Sequence, residues 1–246
     1  MRHYSAAEAG QLARLLGGQA GRTAGDAWQV EHDDFVLTRM LRPTSTGSLH
    51  AGVARDTRRG VVLKLFLAGT LDRRSSARIR AAGEFLATSP HPAIVPLLAR
   101  GRTADGHVYH ACPLAEHGNL EESAAGGEPL HAFAALRLAA HGLAAAHSAG
   151  VVHRDVTPSN ILLWQGGAWL ADWDQGWFPG LEPDTDFVAA TQGFASPRQQ
   201  AGEPPDTADD IYSLGATMLW LLEQAQYPLP DRTHRAVTEL AVDCMA

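Results

Sequence analysis

Short apolar runs bounded by turn-forming residues dominate the chain after Phe35 and predict β-strands. Pro43 and Gly47 separate two of these runs, because proline and glycine favour turns over strand interiors. Helical spacing interrupts the pattern once, at about Ser75–Leu86. The first half is therefore expected to be rich in β-structure, with strands at Phe35–Leu41, Leu49–Ala54, Val61–Leu67 and Val108–Cys112.

In the second half, apolar residues recur at helical spacing. One series, Phe133–His147, is followed by Gly150, a residue type that favours the left-handed conformation just past a helix. A second series, Ile211–Leu222, follows the pair Asp209-Asp210, whose negative charge suits the first turn of a helix. This order of strands and then helices predicts an α+β chain in two lobes, joined near Pro113–Gly118.

Residues 1–34 are interpreted as an N-terminal extension. Ser5 is placed to cap a short helix that ends near Gly17. A linker rich in glycine, threonine and aspartate then runs to Asp26. The first 34 residues are accordingly expected to lie outside the main domain.

Two short apolar runs in the second half predict a β-hairpin. Ile161–Trp164 and Ala168–Ala171 flank Gln165-Gly166-Gly167, which fits a three-residue loop with glycine in the left-handed position. If Ile161 pairs with Ala171, the residues just outside that pair lie side by side.

Those outer residues, Asn160 and Asp172, give this hairpin its candidate chemistry. An amide oxygen beside a carboxylate forms a pair of hard oxygen ligands suited to Mg²⁺. Asp155, five residues before Asn160, can face the same space and orient a hydroxyl as a general base. The alternative is that Asn and Asp at strand ends simply form turns.

Lys64 is the one charged residue in an apolar predicted strand. Alternation places it on one strand face with Val62 and Phe66. A buried ammonium needs an anionic partner, such as a phosphate group. The alternative is an edge-strand lysine whose ammonium stays in water.

Composition limits the classes of partner. The chain has 246 residues, a formal net charge of -7 and 45% hydrophobic residues, which excludes wholesale disorder. The acidic balance argues against nucleic acid or an anionic membrane surface as the main partner.

Cysteine content and hydropathy favour a cytoplasmic location. Cys112 and Cys244 are too few for a disulfide framework or a zinc site. The most apolar long window, Phe133–Val152, contains Arg137 and two histidines, so no membrane segment is expected.

Several segments together resemble the eukaryotic-type protein kinases, in particular the bacterial Ser/Thr kinases. His153–Asn160 is similar to the catalytic-loop signature HRD-x₄-N of that family. Thr191–Pro197 resembles the end of the activation loop, and Asp209–Gly215 resembles the start of the central C-lobe helix. His91–Val95 resembles the HPNIV turn after the N-lobe helix. The segments follow the family's order along the chain.

The resemblance implies a two-lobed kinase-like fold and a reaction. After the extension, a domain at 35–246 would comprise an N-lobe at about 35–112, a hinge at 113–117 and a C-lobe at 118–246 that looks shortened, either trimmed or part of a longer protein. The implied activity is ATP- and Mg²⁺-dependent transfer of the γ-phosphoryl group to Ser/Thr hydroxyls of protein substrates in bacterial signalling.

The resemblance also assigns roles to individual residues. Lys64 would grip the ATP phosphates, and Asp155 would orient the acceptor hydroxyl, braced by Thr191. Asn160 and Asp172 would hold the metal. Arg154 would bind a phosphate on the activation loop, and Gly47 would belong to the glycine-rich loop. The backbone groups of Pro113 and Ala115 would contact adenine, with Cys112 at the gatekeeper position.

Some positions depart from the family pattern around the nucleotide. Only Gly47 remains of the glycine-rich loop. Counting back from His91 places Ala82 where the family has the glutamate that pairs with the lysine, and Glu84 falls on another face. Thr157 replaces the lysine that neutralises the γ-phosphate.

Other departures lie after the catalytic loop. Trp173 and Asp174 replace the phenylalanine and glycine of the DFG motif, and Arg198 replaces the glutamate that follows Ser196-Pro197. Two further functions therefore stay open. One is a pseudokinase scaffold that binds nucleotide weakly or not at all. The other is a small-molecule phosphotransferase of the aminoglycoside or choline type, whose metal motif resembles Asp172-Trp173-Asp174.

Overall fold

The computed structural model forms two compact units. It describes residues 2–22, 28–31, 34–103, 106–124, 129–183, 191–224 and 229–246. The first unit comprises Met1–Arg73 and Pro96–Leu114, and the second comprises Arg74–Val95 and Ala115–Ala246. One unit is rich in strands and the other in helices, so the predicted α+β class is confirmed.

An antiparallel sheet of eight strands makes up most of the first unit. Its strands are β1 (Arg2–His3), β2 (Gln19–Arg22), β3 (Trp28–Glu31), β4 (Phe35–Thr44), β5 (Gly47–Ala54), β6 (Gly60–Phe66), β7 (Ala99–Arg102) and β8 (Val108–Pro113). The order is β2-β3-β4-β5-β6-β8-β7, and β1 pairs with β4. The four predicted strands are confirmed as β4, β5, β6 and β8.

The helices are α1 (Ala6–Leu16), α2 (Arg73–Thr88), α3 (Leu120–Ala124), α4 (Pro129–Ser148), α5 (Pro197–Gln200), α6 (Thr207–Gln224) and α7 (Asp231–Met245). A separate two-stranded sheet in the second unit pairs β9 (Ile161–Trp164) with β10 (Gly167–Leu170). The helices predicted near residues 75–86, 133–147 and 211–222 are confirmed as α2, α4 and α6. Among the residues described here, no helix is long and apolar enough to cross a membrane.

Helix α1 has the ends that its sequence predicts. Ser5 and Glu8 form a reciprocal capping box at its start. Gly17 ends it in the left-handed conformation, at φ 69°.

The described part of residues 1–34 nevertheless belongs to the first unit. Strands β1 to β3 join the same sheet as β4. The apolar side of α1 packs into a cluster that also contains Val61, Leu63 and Leu65 of β6. This face of β6 is fully apolar and must be covered from water. The first unit therefore includes its N-terminal residues as core.

Helix α2 lies between β6 and β7 in sequence, yet residues 74–95 belong to the second unit. Its buried side includes Phe85, whose ring centroid lies 4.9 Å from that of Trp173 and 6.0 Å from that of Phe178. Aromatic packing thus ties α2 to the segment that follows β10.

Candidate active site

The β9–β10 hairpin has a register one residue different from the predicted one. Ile161 pairs with Leu170, not with Ala171, and Trp164 pairs with Gly167. Because Gly167 pairs within the strand, the connection has two residues, Gln165 and Gly166. Gly166 has the positive φ, 125°. The expected three-residue loop was wrong.

The shifted register changes what lies beside Asn160. Its carbonyl accepts the N–H of Ala171 at 2.9 Å, and Asp172 comes one position later. The backbone of Asp172 has the left-handed conformation, at φ 66°. Here the chain leaves β10 and enters a short 3₁₀ turn at Trp173–Gln175. The predicted pairing of Asn160 with Asp172 as cross-strand neighbours was therefore wrong.

The carboxylate of Asp155 is held from two sides. Asn160 Nδ2 donates to Asp155 Oδ2 at 2.9 Å and to its backbone oxygen at 2.8 Å. Thr191 Oγ1 donates to Asp155 Oδ1 at 2.7 Å. The structure thus brings together the residues predicted as base, metal ligand and brace.

A buried carboxylate of α6 anchors the segment before Asp155. Asp210 is 0% exposed, and its two oxygens accept the backbone N–H groups of His153 and Arg154 at 2.8 and 2.7 Å. His147 Nε2 lies 2.8 Å from Asp210 Oδ2. Sequence reasoning assigned Asp210 only to the helix dipole. Its position in the first turn of a long apolar helix gave no sign of these partners.

His153 links the same segment to the end of β10. Its Nε2 donates to the carbonyl of Ala171 at 2.9 Å, and its Nδ1 accepts the N–H of Asp155 at 3.2 Å. These contacts fix one tautomer of the neutral ring. The imidazole stands edge-on to Trp173, with centroids 4.4 Å apart.

Trp173 is the residue that the resemblance assigns to the phenylalanine position of DFG. It is 2% exposed and lies against Phe85 and His153. Its indole N–H donates to the carbonyl of Leu170 at 3.1 Å, so the added polar group is satisfied. The departure from phenylalanine is therefore compatible with a packed site.

Lys64 lies in the first unit, at the centre of β6. It pairs in register with Leu49 and His110, and its ammonium lies 5.4 Å from the centroid of Phe66. Burial, followed by the charges of Lys64 and Arg100, lowers the pKa of His110 to about 4. The predicted face of Lys64, shared with Phe66, is confirmed. Its convergence with Asp155 and Asp172 on one triphosphate stays a prediction.

Helix α2 has no glutamate on its buried side. Ala82 is buried, and Glu84, the single acidic residue of the helix, is exposed. The prediction that Ala82 and Glu84 lie on different faces of this helix is therefore confirmed, whereas the assignment of Ala82 to the position of the family's glutamate stays a prediction.

Close packing of neighbouring strands explains why position 47 is a glycine. The β4–β5 hairpin turns through two residues, Ser45 and Thr46, and a Cβ on Gly47 would collide with the carbonyl oxygen of Leu65 in β6. Close strand packing thus accounts for glycine here without a nucleotide.

The predicted hinge spans the boundary between the units, which falls between Leu114 and Ala115. Pro113 is the last residue of β8 and pairs with Val61. Cys112, the predicted gatekeeper, is half-buried and forms no disulfide. The adenine contacts assigned to Pro113 and Ala115 stay predictions.

The ligand chemistry of the second unit fits a magnesium ion. Asn160 Nδ2 directs its hydrogens at Asp155, so the amide oxygen is the atom left to bind a cation. Asp172 adds a carboxylate, and both are hard oxygen donors. Within the described ranges, no group of three or more His, Cys, Asp or Glu side chains gathers to hold a metal.

The chain belongs to the protein kinase family. The model of the protein kinase domain matches residues 44–245. That range includes the catalytic loop and the Asp155, Asn160 and Thr191 contacts described above. Strands β1 to β3 and helix α1 precede it.

Three curated relatives come from Mycobacterium bovis. The chain is 34% identical to serine/threonine-protein kinase PknK over 185 residues, 72% of this chain and 16% of PknK. It is 34% identical to serine/threonine-protein kinase PknL over 196 residues, 76% of this chain and 49% of PknL. Against serine/threonine-protein kinase PknJ, identity is 32% over 199 residues, 76% of this chain and 33% of PknJ. The chain thus spans half the length of these relatives or less.

Proposed function

We propose that this chain transfers the γ-phosphoryl group of ATP to Ser/Thr hydroxyls of protein substrates, as part of bacterial signalling. The observation that carries the proposal is the Asp155 carboxylate, held by Asn160 and Thr191 in a kinase catalytic loop. The relatives' names, all serine/threonine-protein kinases, support the acceptor class.

In this proposal, Asp155 orients the acceptor hydroxyl. Each of its oxygens already accepts one hydrogen bond, and a carboxylate oxygen has a further lone pair for the hydroxyl proton. The acceptor oxygen forms the new bond to the γ-phosphorus while the bond to the β,γ-bridging oxygen breaks. The hydroxyl proton passes to Asp155, and ADP leaves.

Asn160 and Asp172 would hold Mg²⁺, which when bound neutralises charge on the phosphates. Lys64 would contact the phosphates, and the backbone groups of Pro113 and Ala115 would bind adenine. Arg154 is the proposed partner of an activation-loop phosphate. A cytoplasmic location is part of this proposal, and it is supported by Cys112 and Cys244, neither of which forms a disulfide.

A pseudokinase scaffold is the second candidate. Two observations favour it: the two-residue turn at Ser45–Thr46, where the family has its glycine-rich loop, and the absence of a glutamate on the buried side of α2. Both weaken the expected grip on nucleotide. Retention of Asp155, Asn160 and Asp172 favours catalysis, because a scaffold does not need them.

The test is incubation of the purified chain with Mg²⁺ and ATP labelled at the γ-phosphate. The acceptors are a serine- and threonine-rich protein, an aminoglycoside and choline. We expect label on the protein, a loss of about 10²- to 10⁴-fold in Asp155→Asn, and full activity in Asp243→Asn. The latter makes the same change at an exposed carboxylate of α7.

Each other result selects another function. Label on an aminoglycoside or choline selects the small-molecule phosphotransferase. ATP that raises the melting temperature without any transfer selects the scaffold. Transfer that survives Asp155→Asn or removal of Mg²⁺ would contradict the proposed mechanism.

A further inference from the structure

The peptide that joins Arg154 to Asp155 is held at both of its polar groups. Its N–H, on Asp155, donates to His153 Nδ1 at 3.2 Å. Its carbonyl, on Arg154, accepts Gln199 Nε2 at 2.8 Å. Because a peptide unit is planar, two contacts on opposite sides fix its rotation. That rotation sets the direction in which the Asp155 side chain leaves the backbone.

This peptide needs such contacts because its conformation is uncommon. Arg154 has φ 67°, in the left-handed region that side chains other than glycine rarely adopt. The residue is 4% exposed, so water cannot replace a lost partner. Side chains from neighbouring elements therefore maintain the geometry.

Gln199 is itself firmly placed. It is 2% exposed and lies in α5, whose start is capped by Ser196 through the N–H of Gln199 at 3.0 Å. Ser196 Oγ in turn donates to the buried carboxylate of Asp209 in α6. A short buried chain of hydrogen bonds thus fixes Gln199 to the same helix that carries Asp210.

We propose that Gln199 is a positioning residue for phosphoryl transfer, acting through the Arg154-Asp155 peptide, an inference that rests on the kinase function proposed above. Thr191 donates to the carboxylate of Asp155, and Gln199 donates to the Arg154 carbonyl in the peptide that precedes it. Both belong to the segment from Thr191 to Gln200. The order of that segment is therefore coupled to the alignment of the base at two points.

Two variants of Gln199 separate hydrogen bonding from packing. Gln199→Met keeps the length but loses the donor, and we expect kcat to fall about 10-fold because a buried carbonyl is left unpaired. The KM for ATP should change less than about twofold, since the hydrogen bond acts on the orientation of the base. Gln11→Met is the matched control, at an exposed position of α1 outside this segment.

Gln199→Glu supplies a readout that a merely structural role would not give. A protonated glutamic acid can donate to the Arg154 carbonyl, whereas a glutamate repels it. Burial beside a carbonyl raises the pKa of such a carboxyl group. Relative to wild type, kcat of Gln199→Glu should therefore recover as the pH falls from 8.5 to 6, while Gln199→Met stays low at every pH. Gln11→Glu, at the exposed position of α1, should follow the wild-type profile.

Amide hydrogen exchange at residues 153–155 completes the test and does not depend on activity. Gln199→Met should accelerate exchange there with little change in α4 and α6. If wild type transfers phosphate but both Gln199 variants keep wild-type kcat, or share one pH profile, the role of Gln199 is overturned. If the wild type transfers no phosphate, the proposed kinase function is contradicted, whatever the role of Gln199. If amide exchange at residues 153–155 is the same in Gln199→Met as in the wild type, the positioning role is contradicted, whatever the activity.

Discussion

The two oxygens of the Asp155 carboxylate have different partners, and this determines what single substitutions should do. Asn160 contacts Oδ2 together with the backbone of Asp155, whereas Thr191 contacts only Oδ1. Thr191 comes from a distant part of the chain and is exposed. Its contribution to activity can therefore be removed without disturbing a buried core.

Thr191→Val should lower kcat about 10- to 100-fold, the range expected for the loss of a hydrogen bond to a charged group. Thr191→Ser keeps the hydroxyl and should retain activity within about threefold. The measurement is steady-state kinetics with a protein acceptor. Equal activity in the valine and serine variants would show that the hydroxyl is not needed.

For single residues, the sequence predicts which residues form the candidate site better than it predicts their contacts. The catalytic-loop signature and the brace at Thr191 led directly to the Asp155 contacts. Asp210 was assigned to the helix dipole, because its partners are backbone N–H groups 56 and 57 residues away. The hairpin register was missed by one residue, because either glycine of Gly166-Gly167 could have supplied the positive φ.

Among the helices and strands, those of the N-terminal segment have the role that the sequence predicted least well. Tyr4 follows β1 directly, and its hydroxyl lies 2.9 Å from His50 Nδ1 in β5. His50 Nε2 lies 2.7 Å from Ser48 Oγ in the same strand. Burial, and then the charge of Glu8, raises the pKa of Tyr4, so the hydroxyl stays protonated. This buried polar chain ties the segment to the hairpin where the family has its glycine-rich loop.

His50 should make the stability of the first unit depend on pH. Burial lowers the pKa of His50 to about 4, from an ordinary 6.5. Between these values the unfolded chain binds a proton that the folded chain excludes, so stability should fall as the pH drops from 6.5 towards 4. His110 acts in the same direction, and each loss reaches about 3 kcal/mol at most.

The measurement is the free energy of unfolding in denaturant at a series of pH values from 8 to 4, with hydrogen exchange in β5 and β6 as the probe of the first unit. His50→Gln cannot titrate, and its stability should fall less steeply below pH 6.5 than that of the wild type. His234→Gln, at an exposed position of α7, should keep the wild-type slope. Identical slopes for wild type and His50→Gln would contradict the assignment.

For the whole molecule, the division into a strand-rich and a helical part followed from hydrophobic periodicity alone. The role of residues 1–34 did not. Their glycine- and threonine-rich linker is typical of an extension, and only the structure reveals that α1 belongs to the same apolar cluster as the buried face of β6. A shared cluster of this kind depends on tertiary packing between segments distant in sequence.

Phe85→Ala tests how far α2 supports the second unit. Phe85 is 7% exposed and packs on Trp173 and Phe178, so its loss should destabilise that unit by about 3–5 kcal/mol. Hydrogen exchange resolved by residue should show faster opening of α4 and α6, with β4 to β6 much less affected. Glu84→Gln, at the exposed neighbouring position, is the control. Uniform loss of protection in both units would contradict this division.

Because α2 lies between β6 and β7 in sequence, the chain passes from one unit to the other after Arg73, after Val95 and after Leu114. No single cut separates the units. Two polypeptides divided between Leu114 and Ala115 would leave α2 on the first, with Phe85 stripped of its aromatic neighbours. Fragment complementation of this protein would therefore require the first polypeptide to donate a helix to the second.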